Sequence, residues 1–262
     1  FQSKGGKTMS RNFDLMQQTL SEKAEVAALT PLTTLPVSQS NGKAAKSVSA
    51  TEPDKLAREE MTRLVQQLFL GAEADSPRVV MFAGMDTGNG CSQICSEVAR
   101  ILASNTNGTV CLVDANLRAP ALPEFFGVSN HFGLTDALAQ EGAIRKYAKS
   151  VGPDNLWLLS CGGSTNDFSR LLNSEQMKAR VMELRKEFDY VIVDVPALNE
   201  SADAIALGQQ VDGLVVVLEA NSTRREAASK VVENLRAAKI RILGAVLNKR
   251  TFPIPEALYQ QL

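Results

Sequence analysis

The stretch RVVMFAGMDTGNGCSQICSEVARILA, residues 78–103, decides the fold of this 262-residue chain. It begins as a continuous apolar strand pattern, passes through a glycine-rich loop and ends in a helical pattern over residues 92–103. Gly84, Gly88 and Gly90 allow backbone N–H groups to converge on phosphate oxygens at the positive end of a helix. Strand, loop and helix in this order predict a phosphate-binding loop.

The loop departs from the usual pattern G-x-x-x-x-G-K-[ST] at one position. In that pattern, the lysine reaches the β and γ phosphates and the following hydroxyl binds Mg²⁺. Here Ser92 supplies the hydroxyl, but Cys91 stands in the place of the lysine. Taken alone, the loop fits either a weakened nucleotide site or an ordinary glycine turn between a strand and a helix.

Short β-branched runs alternate with helical patterns along the chain. Strands are predicted at residues 78–83, 110–114, 156–160, 190–195, 214–219 and 242–247. Helices are predicted at residues 12–25, 54–70, 92–103, 174–186, 201–209 and 224–238. Continuous apolar strands separated by helices indicate an α/β fold, a mostly parallel sheet with helices on both faces, as in the three-layer P-loop NTPase fold.

Two of these strands end in an aspartate. Asp114 closes the run VCLVD, and Asp194 lies near the end of YVIVDV. Since ligands of parallel sheets lie beyond the carboxyl ends of the strands, both carboxylates are expected beside the glycine-rich loop. Mg²⁺ prefers oxygen ligands, and phosphoryl transfer needs carboxylates that hold the metal and orient the nucleophile. Ser92, Asp114 and Asp194 are therefore the predicted magnesium ligands.

The N-terminal part differs in composition from the rest. Residues 1–10 look like the remnant of a protease site before a natural start at Met9. Residues 30–51 contain too few large apolar residues to order themselves. We therefore divide the chain into residues 1–53, this remnant and a largely disordered segment, and residues 54–262, a P-loop NTPase-like domain.

Charge and hydropathy exclude several classes of function. The chain has 28 Lys and Arg against 29 Asp and Glu, a net charge of −1, so no overall basic field attracts nucleic acid. The longest apolar runs, such as residues 214–218, are far shorter than the roughly 20 residues that span a bilayer. A cytoplasmic protein is expected.

The four cysteines are too few and too scattered for a disulfide framework. Cys91 and Cys95 are four residues apart and could reach one metal ion, but no CxxC or HxxxH motif completes a site. The positive end of a helix favours a thiolate at Cys91, so redox sensing is a minor alternative.

In combination, these motifs resemble the bacterial tyrosine autokinases of capsular and exopolysaccharide synthesis, within the MinD/ParA-like deviant-Walker P-loop proteins. The resemblance covers residues 56–250 and includes, in order, GLTDALAQ, SRLLNSEQM, VDGLVVVLEANSTRR and GAVLNKR. It implies a degenerate Walker A loop at residues 88–92. It also implies that Asp194 is the Walker B carboxylate.

The resemblance also implies roles for individual residues. Catalytic roles fall to Asp114, Asp194 and Arg118, and ATP or ADP with Mg²⁺ is the implied cofactor. Nucleotide contacts fall to Gly84, Gly88, Asn89, Gly90, Cys91, Ser92 and Asn248, the last near an adenine base. Tyr259 is the one candidate phosphosite.

The missing lysine then predicts a catalytically impaired pseudokinase or regulatory partner. A charge-assisted hydrogen bond contributes about 1.5–3 kcal/mol, so its loss weakens or abolishes nucleotide binding. The expected partner is a membrane-anchored polysaccharide co-polymerase or chain-length protein, which would bring the chain to the inner membrane; self-association stays open and no nucleic acid is expected.

Two alternatives remain from the sequence. One is an active ATP-dependent tyrosine kinase or ATPase with a substitute cation, for which the candidates are Arg118, Arg224, Arg225 and Lys249. The other is a MinD/ParA-like positioning ATPase.

Overall fold

The computed structural model describes residues 31–36, 52–71, 76–163 and 168–250. The strands are β1 (Pro31–Pro36), β2 (Val79–Gly84), β3 (Val110–Asp114), β4 (Lys149–Ser150), β5 (Leu156–Leu159), β6 (Tyr190–Val195), β7 (Gly213–Glu219) and β8 (Ile242–Arg250). The helices are α1 (Glu52–Phe69), α2 (Cys91–Asn105), α3 (Leu122–Phe125), α4 (Leu134–Ala139), α5 (Phe168–Leu172), α6 (Glu175–Glu187), α7 (Asp203–Gly208) and α8 (Arg225–Ala237), with a 3-10 helix at Ile144–Tyr147.

The eight strands form one sheet in the order β1-β8-β7-β2-β6-β3-β5-β4. Every neighbouring pair is parallel except β4 and β5. From β2 the chain crosses to β3 on one side, and from β6 it crosses to β7 on the other. The strand order therefore reverses between β2 and β6, which is where open parallel sheets hold their ligands.

Side chains that alternate along the strands supply two hydrophobic cores. In β6, Ile192 packs with α1 and α2, whereas Val191 and Val193 face the layer that contains α6, α7 and α8. All six residues of β2 are buried, as expected of a strand covered on both faces. The predicted α/β class with helices on both faces of a mostly parallel sheet is confirmed.

The structure adds elements that the sequence patterns did not predict. Strand β1 lies within residues 30–51, for which we predicted no ordered structure, and it pairs in parallel with β8 at the sheet edge. Pairing of this kind depends on backbone groups of a distant strand, so hydrophobic periodicity does not reveal it. The predicted helix at residues 12–25 lies outside the described residues.

None of the described helices is both long and apolar enough to cross a bilayer.

Candidate functional site

The loop between β2 and α2 makes a tight turn into the first turn of the helix. Gly88 and Gly90 both have φ of +84°, a conformation that favours glycine. A Cβ atom on Gly90 would collide with Nδ2 of Asn248, so this glycine permits close packing against β8. At Gly88 no described atom lies within 4 Å of such a Cβ, and the loop is open on that side.

The ends of β7 and β8 brace the loop. The Asn248 amide donates to the carbonyl of Asn89 at 2.8 Å, and the Asn89 amide donates to Glu219 Oε2 at 3.2 Å. Lys249 Nζ donates to the Gly88 carbonyl at 2.7 Å and pairs with Glu219 at 3.0 Å. Sequence reasoning missed Glu219, although the signal was present: it ends a strand, as Asp114 does.

Asp114 and Asp194 lie side by side at the carboxyl edge of the sheet. They are register partners on β3 and β6, whose strands run about 4.8 Å apart. Register partners in a parallel pair point to the same face, which here is the face covered by α2. Both side chains are fully buried. Two carboxylates are therefore enclosed beneath the loop.

Burial determines the electrostatics of this pair. Burial and the negative charge of Asp194 raise the pKa of Asp114 to about 8, although the N–H groups of Leu122 and Asn116 lower it in part. Burial also raises the pKa of Asp194 to about 6, against the lowering effect of the neighbouring Ser92 hydroxyl. Within the described part of the chain, no lysine or arginine forms an ion pair with either carboxylate.

Two thiols complete the surroundings of Asp194. Cys91 is the first residue of α2, and Cys95 follows one turn later with its Sγ 3.7 Å from Asp194 Oδ1. The two sulfur atoms and a carboxylate oxygen of Asp194 all lie within 4.8 Å of one another. The hydrogen bond from Cys95 lowers the pKa of Cys91, but burial and Asp194 outweigh it and raise that pKa to about 11. The prediction that the helix terminus holds Cys91 as a thiolate is therefore wrong.

The other predicted residues lie apart from this cluster. Arg118 is half exposed, and its guanidinium is 3.4 Å from the buried carboxylate of Asp203. Arg224 and Arg225 are exposed at the start of α8. Tyr259 lies outside the described residues.

No protein-family model matches the chain. The tyrosine-protein kinase YwqD of Bacillus subtilis is 29% identical over 201 residues, 77% of this chain and 84% of that protein. The succinoglycan biosynthesis transport protein ExoP of Rhizobium meliloti is 29% identical over 186 residues, 70% of this chain. The chain spans 23% of ExoP, less than a quarter of its length.

Solved structures show the same fold. The kinase domain of the Escherichia coli tyrosine kinase ETK superposes with a TM-score of 0.75 at 22% identity, covering 88% of this chain and 95% of that one. A ParA family ATPase from Chlorobium tepidum gives a TM-score of 0.56 at 18% identity, covering 66% and 73%. The chain is thus a homologue of the bacterial tyrosine kinases of capsule and exopolysaccharide synthesis, and its P-loop fold is shared with the ParA-like ATPases.

Proposed function

We propose that the chain is a nucleotide-binding regulatory domain of the exopolysaccharide-kinase class, a pseudokinase whose phosphoryl transfer is impaired. One observation carries the proposal. The loop keeps its glycine turns and the two buried carboxylates below it, whereas the lysine position holds the neutral thiol of Cys91. The similarity to YwqD supports the kinase class.

ATP or ADP with Mg²⁺ is the ligand that this loop fits. The open space at Gly88 and the N–H groups that start α2 suit phosphate oxygens. We propose Ser92, Asp114 and Asp194 as the residues that hold Mg²⁺, which would offset the negative charge of the phosphates. Asp194 Oδ2 is buried and has no hydrogen-bond partner among the described residues, which fits a carboxylate that takes a cation. Further nucleotide contacts are proposed for Gly84, Asn89, Gly90, Cys91 and Asn248.

The loss of the lysine affects catalysis more than binding. Backbone donors of the loop remain, so binding loses about 1.5–3 kcal/mol, the contribution of one charge-assisted hydrogen bond. Phosphoryl transfer depends almost entirely on positioning and on stabilising the charge that develops in the transition state. A protonated thiol supplies no charge for this purpose. Asp114, Asp194 and Arg118 would then retain positioning roles.

The proposed setting is polysaccharide export. ExoP is by name a transport protein of succinoglycan biosynthesis, and it contains a long portion that this chain does not cover. We therefore propose a membrane-anchored polysaccharide co-polymerase or chain-length protein as the partner. Such a partner would hold the chain at the cytoplasmic face of the inner membrane.

Calorimetric titration with MgADP and MgATP tests the proposal on three proteins: wild type, Cys91→Lys and Cys91→Met. We expect Cys91→Lys to bind about 10–100 times more tightly than wild type, because it restores one charged donor. Cys91→Met is the matched control, since it adds length without charge, and it should show no gain. Robust ATP turnover by wild type, or no gain in Cys91→Lys with its fold intact, would contradict the proposal.

A second candidate function, an active kinase or ATPase, is favoured by the position of Lys249. Its ammonium already contacts the loop at the Gly88 carbonyl, so it is the substitute cation best placed for this role. The ammonium also pairs with Glu219, which offsets much of its charge. If the chain is active, Lys249→Met should abolish turnover while Arg225→Met leaves it unchanged. Equal turnover in both variants would exclude Lys249.

A further inference from the structure

The surroundings of Asp194 contain a second set of metal-binding groups, the thiols of Cys91 and Cys95, which the proposed Mg²⁺ site does not use. Cys91 and Cys95 are four residues apart on α2 and therefore lie on one face of the helix. That face is directed at the end of β6, with Cys95 Sγ 3.7 Å from Asp194 Oδ1. The three ligand atoms form a cluster within 4.8 Å, and the two thiols are free.

The arrangement is close to the geometry of a zinc site. Zn–S bonds of about 2.3 Å in a tetrahedron place two sulfurs about 3.7 Å apart, with a carboxylate oxygen slightly closer. Small side-chain rotations would bring the observed cluster to this geometry. The framework is rigid, because β6 and the first turns of α2 are packed into the same core.

A second observation, apart from the spacing of the sulfur and oxygen atoms, points to a cation beside Asp194. Asp194 Oδ2 is fully buried but has no hydrogen-bond partner among the described residues. Buried polar atoms without partners are rare in native proteins and call for an explanation such as an ion. A soft cation suits this position better than Mg²⁺, since two of the three nearby groups are thiols.

We propose that Cys91, Cys95 and Asp194 form a binding site for a thiophilic divalent cation of the Zn²⁺ class. Each thiol releases its proton to solvent when it binds the metal. Three protein ligands leave a fourth position for water, and Cys91 is partly exposed, which gives the ion an entry path from the loop side. Because Asp194 is shared, this cation and Mg²⁺ would compete for the same carboxylate.

Titration of the full chain with Co²⁺ and Zn²⁺ alone, under a non-thiol reductant, tests this site without nucleotide. Failure here is therefore distinguishable from failure of the proposed nucleotide function. Co²⁺ bound by thiolates gives intense near-ultraviolet charge-transfer absorption, which Zn²⁺ should displace. We expect one ion per chain and a melting temperature about 5–10 °C higher at a hundredfold excess over Kd. The chain has one histidine, which limits adventitious binding.

Three variants complete the experiment. Cys91→Ser, at the partly exposed start of α2, and Cys95→Ala should each weaken binding at least tenfold and reduce the absorption band. Cys161→Ser is the matched control, because it removes a buried thiol outside the cluster and should bind as wild type does. No thiolate band in wild type, or equal losses in Cys161→Ser and Cys91→Ser, would overturn the proposal. If Cys95→Ala does not fold, Cys91→Ser alone decides between these outcomes.

Discussion

Strand β6 has an aspartate near each of its ends. The two side chains differ in burial, in hydrogen-bond partners and in the direction in which their pKa is shifted. Asp189, just before the strand, accepts hydrogen bonds from the N–H of Thr109 at 2.8 Å and from its hydroxyl at 3.0 Å. These bonds lower the pKa of Asp189. Asp194, near the carboxyl end, is fully buried, and its Oδ2 has no hydrogen-bond partner in the part of the chain that the structure describes. Burial raises its pKa to about 6.

Strand β7, which lies on the other side of β2, follows the same rule as Asp189 at its amino end. Asp212 accepts hydrogen bonds from the N–H groups of Arg78 and Val79, both at 2.8 Å, and forms a two-pronged ion pair with Arg185. Burial alone would raise the pKa of Asp212, but these partners outweigh it and lower the pKa.

The aspartates at the amino edge of the sheet therefore stabilise the fold, whereas Asp114 and Asp194 at the carboxyl edge do not. Carboxylates at the amino edge are matched by donors, so they stabilise the fold when charged. Asp114 and Asp194 at the carboxyl edge are buried together, and no lysine or arginine among the described residues pairs with them. This destabilises the fold and is typical of a site that binds a positive ligand. Three substitutions test this contrast, in order of decreasing effect.

Asp212→Ala should have the largest effect. It leaves two strand-end N–H groups and the Arg185 guanidinium without their acceptor, so the free energy of unfolding should fall by about 2–3 kcal/mol at pH 7. Urea unfolding followed by circular dichroism measures this loss. Asp212→Asn keeps one acceptor and should lose less. A loss below about 0.5 kcal/mol for the alanine variant, the size of an ordinary surface substitution, would break the contrast.

Asp194→Asn should stabilise the protein, by about 1–3 kcal/mol at pH 8. The carboxyl has a pKa of about 6 in the folded chain and a model value of 3.8, so the folded state favours its neutral form. The destabilisation caused by its charge therefore develops as the pH rises from about 4 to 6 and is complete above that range. Urea unfolding at pH 8 and pH 4 should show the gain only at pH 8. A gain of equal size at both pH values would mean that packing, not charge, is responsible.

Asp189→Asn should have the smallest effect, and it should lower the free energy of unfolding, whereas Asp194→Asn raises it. The side chain is exposed, and asparagine keeps one oxygen for Thr109, so the expected loss is about 0.5 kcal/mol or less. Thermal unfolding at pH 7 beside Asp194→Asn gives a comparison within one strand. If Asp189→Asn lowers the free energy of unfolding as much as Asp212→Ala does, solvent exposure does not reduce the contribution of Asp189 to stability.

Much of the fold follows from local sequence patterns. The apolar runs predicted as strands became β2, β3 and β6, which are buried on both faces of the sheet. The side-by-side arrangement of Asp114 and Asp194 was also within reach, because parallel strands bring their carboxyl ends to one edge. The five predicted helices that lie among the described residues have their ends within two residues of the prediction, for instance residues 174–186 against Glu175–Glu187.

What the sequence did not reveal depends on contacts between distant segments. The helix-dipole argument predicted a thiolate at Cys91, but it considered one element only and omitted Asp194, which β6 brings against the helix. The bond from Lys249 to Gly88 joins residues 161 positions apart. The sequence showed only part of the thiol cluster. The spacing of Cys91 and Cys95 suggested that they share an ion, but the third ligand, Asp194, lies about a hundred residues further along the chain.

The two outermost strands have a consequence for assembly. One side of the sheet ends in β1, which begins and ends in prolines that lack an N–H donor, and the other ends in the two-residue antiparallel β4. Neither border offers a long row of unpaired backbone groups. Extension of this sheet by a second molecule is therefore disfavoured, so quaternary contacts of the described domain are expected on its helical faces and loops.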